Sequence, residues 1–92
     1  MLVTVMDAAV NEALEYIAKR MSNDGRGILL QADFDDTVAT LAAALRRARS
    51  AIPDDLDVEE SLLALGMKPP DAHDVRFVYR TLAFLKRSAG LF

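Results

Sequence analysis

One histidine, four serines, no cysteine and a few crowded stretches of carboxylates are the side chains with which this chain could do chemistry. His73 stands alone. No Glu-x-x-His or His-x-x-x-His spacing sets a second ligand one helical turn away from it, as a metal centre on a helix requires. None of Ser22, Ser50, Ser61 and Ser88 sits in a Gly-x-Ser-x-Gly elbow, and only His73 could serve any of them as a base. The absence of Cys removes thiolate chemistry, a disulfide framework and Cys-based zinc sites.

The glycine-containing loop Asn23-Asp24-Gly25-Arg26-Gly27 is built of turn-forming residues. It lacks the Gly-Lys-Ser/Thr ending with which a phosphate loop surrounds its ligand. It also fails as a calcium loop. With Gly25 at the sixth position, Arg20, Gly27 and Gln31 fall at the first, eighth and last, and with Gly27 there, Arg26 replaces an oxygen ligand. The acidic run Asp54, Asp55, Asp57, Glu59 and Glu60 lies at a helix start, where carboxylates favour the dipole, so capping accounts for it without a metal. No catalytic, cofactor-binding or metal-binding residue is expected, and a helical bundle of this size leaves little room for a catalytic pocket. The expectation is a protein that is not an enzyme.

Binding is the more promising chemistry, and its candidates lie in the last third, Asp71 to Phe92. Pro69 and Pro70 end what precedes them, Asp71 is the expected N-cap with Asp74 three residues on, and Gly90 after Lys86 and Arg87 is a C-terminal stop. At about 100° per residue, Val75, Val78, Leu82, Leu85 and Ala89 form one stripe, expected to be core. A quarter-turn away run Phe77 and Phe84, with Thr81 and Ser88 between them, and beyond these a basic line of His73, Arg76, Arg80 and Arg87. Aromatic rings bordered by guanidinium groups are typical of interface hot spots. The partner-binding candidates are therefore Phe77, Phe84, Arg76, Arg80 and Arg87. The other reading of the same residues is two core phenylalanines beside a solvated basic face.

The elements that must position these residues are helices. Ninety-two residues, 52% hydrophobic and rich in Ala, suit one small helical domain spanning 1–92. A helix over Val3 to Ser22 is expected to turn Val10, Leu14, Ile17 and Met21 inward together with Val3 and Met6, and a short strand over Leu2 to Met6 is its rival. A second helix is expected from Asp33 to Ile52, with Phe34, Val38, Leu41, Leu45, Ala48 and Ile52 in one sector. Pro53 stops it, and a short helix from Asp57 to Leu65 follows, with Leu62 and Leu65 inward and Gly66 at its C-terminal turn. The predicted fold is all-α, a compact bundle of three long helices and one short one.

Glu60 to Val75 resembles the segment of acyl carrier proteins in which Leu-Gly is followed by the Asp-Ser-Leu attachment motif and a helix. Lys68, Pro69 and Pro70 stand where Asp, Ser and Leu belong. The serine that would carry phosphopantetheine is absent, so the resemblance implies no carrier activity. Residues 57–89 also resemble a helix-turn-helix, which would make the chain a nucleic-acid-binding regulator reading through Arg76, Arg80 and Arg87. Against that stand the net charge of −3, a pI near 5.0 and two aspartates at the tip of the second helix. No basic n-region and no apolar run of membrane-span length is present, so a cytoplasmic location without a membrane partner is expected. The expected function is a small regulatory or adaptor module that docks a helix face on another protein or on its own copy, a homo-oligomer.

Overall fold

The computed structural model describes residues 7–21, 31–49 and 51–90. The alternatives for residues 2–6 and the loop at 23–27 lie outside these. Among the described residues there are four helices: α1 (Ala8–Arg20), α2 (Gln31–Arg47), α3 (Asp55–Ala64) and α4 (Pro69–Ala89). No strand occurs among the same residues. The fold is all-α.

Helix α1 begins later than its apolar pattern suggests. Asp7 holds an extended backbone and its Oδ1 accepts the Ala9 N–H at 2.9 Å, which makes it the N-cap and breaks the continuous helix expected from Val3. Val10, Leu14, Ile17 and Met21 are buried as their spacing requires, joined by Ala13 and Ala18. The opposite face, Glu12, Glu15 and Lys19, is exposed.

Helix α2 starts two residues before Asp33 and stops at Arg47, five residues short of Ile52. The stop is made by tertiary bonds. In a continuing helix the Arg49 N–H would donate to the Leu45 carbonyl. Instead the Arg49 N–H donates to Asp7 Oδ2 at 3.0 Å, and the Leu45 carbonyl accepts from Lys86 Nζ at 2.9 Å. Two distant side chains thus replace one helical bond and satisfy groups that a helix end leaves open. Ala48 and Ile52 still pack against the core, but from irregular chain.

Helix α3 is capped by Asp54, whose Oδ1 accepts the Asp57 N–H at 2.9 Å, so the cap sits three residues before the expected Asp57. Gly66 follows with φ of +96°, a left-handed conformation that suits glycine. Its turn closes with the Met67 N–H on the Leu62 carbonyl. Leu62 is buried beside Val58, whereas Leu65 is 42% exposed, a reversal of its expected inward position. Helix α4 starts at Pro69, with Lys68 at the cap and the two prolines in the first turn, where a missing N–H costs nothing. Asp71, the expected cap, lies inside the first turn and is buried. Gly90 ends the helix in the left-handed region as expected.

The helices pack around a square: α1 on α2, α2 on α4, α4 on α3 and α3 on α1, with no backbone approach within 8 Å between the Cα atoms of either diagonal pair. One core cluster joins all four, with Leu14, Ile17, Leu41, Leu45, Val58 and Val75 fully buried in it. The Cα radius of gyration, 12.2 Å, is what a compact chain of this length should have, about 12 Å. No described helix is long and apolar enough to cross a membrane.

Candidate functional site

The residues singled out for binding all lie on α4, and the packing of α4 decides what each can do. Its buried line is Ala72, Val75, Tyr79 and Ala83, with Asp71 at the start. That line is turned by about 85° from the expected stripe. Val78, Leu82 and Leu85 are only half-buried, and Ala89 is exposed. Small Ala72 and Ala83 and the Tyr79 ring, rather than the leucines, take the buried positions. The Tyr79 hydroxyl donates to the Pro53 carbonyl and so ties α4 to the chain entering α3. Burial pushes the Tyr79 phenol up to about 12.

Turning the core face leaves Phe77 and Phe84 roughly opposite it. They are 52% and 63% exposed, so the reading that made them bundle core is excluded by their position. Phe77 is not isolated. The His73 ring meets it edge-on, with centroids 4.8 Å apart, and His73 Nδ1 lies 3.6 Å from Glu59 Oε2. Thr81, one turn along, donates its hydroxyl to the Phe77 carbonyl at 3.1 Å.

The basic line divides. Arg76 is engaged by the neighbouring helix: its Nε donates to Asp55 Oδ2 at 2.8 Å and its Nη1 to Glu59 Oε1 at 3.1 Å, clasping α3 to α4. The guanidinium donating to Asp55 holds that carboxyl below its usual range, and the same bond raises Arg76. The two pairings run 55 to 76 and 59 to 73, so the helices are antiparallel neighbours. Arg80 and Arg87, by contrast, are exposed, and neither forms a salt bridge among the described residues. Of the five candidates, four therefore face outward together and Arg76 does not.

Sequence reasoning missed the neighbour that completes this surface. Phe34, expected in the α2 core stripe, is 42% exposed. Together with Val38 it faces Phe77, Val78, Thr81 and Leu82 across a groove of about 400 Å³ between α2 and α4. Periodicity carries no signal of this, since Phe34 falls at the centre of the sector set by Leu41 and Leu45.

His73 has no second imidazole or cysteine beside it, and no cluster of three metal-ligating side chains occurs among the described residues. Comparison of the chain with protein-family models, with curated proteins and with solved structures finds no match.

Proposed function

We propose that the chain is a small non-enzymatic interaction module, regulatory or adaptor in type, that docks on another protein or on a second copy through the outward face of α4. Phe77 and Phe84 are its anchors, and Arg80 and Arg87 form its polar border. The observation that supports this most is the exposure of both rings on the side of α4 away from the core. Large apolar side chains grouped outside the core cost solubility and are commonly kept for contact. Arg76 takes no part at this border, because its guanidinium is occupied by Asp55 and Glu59. That also leaves the nucleic-acid reading with only two of its three cations.

The reading is tested with Phe77→Ser/Phe84→Ser. Rings outside the core can be replaced without a cavity, so the melting temperature of this variant is expected to stay close to that of the parent. A tagged parent protein is expected to retain a stoichiometric protein partner from its native lysate after nuclease treatment, and the variant to lose it. Retention by the folded variant would overturn the reading, and nucleic acid as the main bound species would replace it with the helix-turn-helix one.

A further inference from the structure

We infer that the occupant of this face is an acidic amphipathic helix of another protein, lying along α4 over the α2–α4 groove. The inference rests on the docking reading above and adds the chemistry of the partner. Phe77 and Phe84 are seven residues apart, two turns or about 10.5 Å along the axis, the spacing with which one helix presents anchors to another. Beside them the groove is apolar and shallow, and its hydroxyl, Thr81, is engaged with its own helix. Phe34, Phe77 and Phe84 together leave about 300 Å² of residue surface exposed, enough for the centre of a contact.

Charge selects the occupant. On the flank of the Phe line that faces away from α2 stand His73, Arg80 and Arg87, on a chain whose net charge is −3. The nearest carboxylates of α3, Asp55 and Glu59, already accept from Arg76. That flank of the face is therefore positive. A second copy of the chain does not complement it. In heptad terms Phe77 and Phe84 are d positions, Arg80 and Arg87 g positions, and Val78 and Leu85 e positions. An antiparallel two-fold pairing of α4 with itself sets guanidinium against guanidinium across the axis, and a parallel one sets it against Val78 and Leu85. Either leaves both cations without a carboxylate. A helix with large apolar residues at i, i+3 or i+4, and i+7, and Asp or Glu along one flank, satisfies rings and cations together.

The test uses displayed peptides of about eighteen residues, five turns, with leucine fixed on one stripe and the flanks randomised among Glu, Lys and Ser. The full chain is the bait, and its fold is checked by circular dichroism. The expected result is enrichment of Glu on a single flank. The best Glu-flanked peptide should bind the folded Arg80→Glu/Arg87→Glu variant about tenfold or more weakly, and selection on that variant should turn to Lys. No enrichment, or a flank composition unchanged by charge reversal, overturns the proposal. A sedimentation-equilibrium dimer that dissociates in Phe84→Ser also overturns it, since the occupant is then a second copy. Charge-blind binding that Phe84→Ser nevertheless abolishes leaves the docking surface standing and removes only the acidic partner. Binding indifferent to both substitutions removes both.

Discussion

Tyr79 and Arg76 show how much a single side chain contributes when it joins two elements. The Tyr79 phenol is buried and its neutral form donates to the Pro53 carbonyl, so its pKa is raised to about 12 from 10.0. A raised value means that this contribution is complete below pH 10 and is lost as the pH climbs towards about 12. Tyr79→Phe should cost about 1 kcal/mol at neutral pH and flatten the alkaline end of the stability profile, read from urea midpoints. Arg76 acts at the other end of the scale. Asp55 is held below its ordinary value of 3.8, so the clasp is complete above that pH and is lost as the pH falls through the depressed value. Arg76→Gln should raise the pH at which acid unfolding begins while leaving the alkaline limb unchanged. The clasp lies at the surface, so its effect at neutral pH is small.

At the scale of the helix, the turn at Gly66 gives the sharpest expectation. A Cβ there meets nothing within 4 Å, so Gly66→Ala introduces backbone strain alone, at φ of +96°. A loss of about 1–2 kcal/mol is expected, and Asn at the same position should recover part of it. This turn, the Gly90 stop, the all-α class and the inward line of α1 were legible in the sequence because each depends on residues a few positions apart. The rotation of α4 was not. Periodicity weights Leu82 and Leu85 above Ala72 and Ala83, yet helices that approach closely put alanines at the contact and leave leucines on its flanks. The end of α2 was equally hidden, since the groups that stop it, Asp7 and Lys86, are 42 and 41 residues from the atoms they bind. Of the binding candidates, the outward turn of Phe77 and Phe84 was one of two open readings. The capture of Arg76 was not foreseen, because its partners lie on another helix.

For the whole molecule, one core spans four helices, so a cavity anywhere in it is felt globally. Leu14→Ala or Leu45→Ala should cost about 2–5 kcal/mol, as should no substitution of Phe84. The square of helices has a less obvious property. Helices α1 and α4 lie diagonally opposite, yet the last turn of α2 is held at once by Asp7 from the start of α1 and by Lys86 from α4. The two side chains guard adjacent ends of the same potential hydrogen bond, Arg49 N–H and Leu45 C=O. If either lets go, its freed group can close the helical bond without competition only when the other lets go as well. Their equilibria are therefore linked: Asp7→Ala and Lys86→Met should be non-additive in a double-mutant cycle, with the second substitution costing less than the first. Amide exchange at Arg49 should report on a side chain in α4 that it never touches.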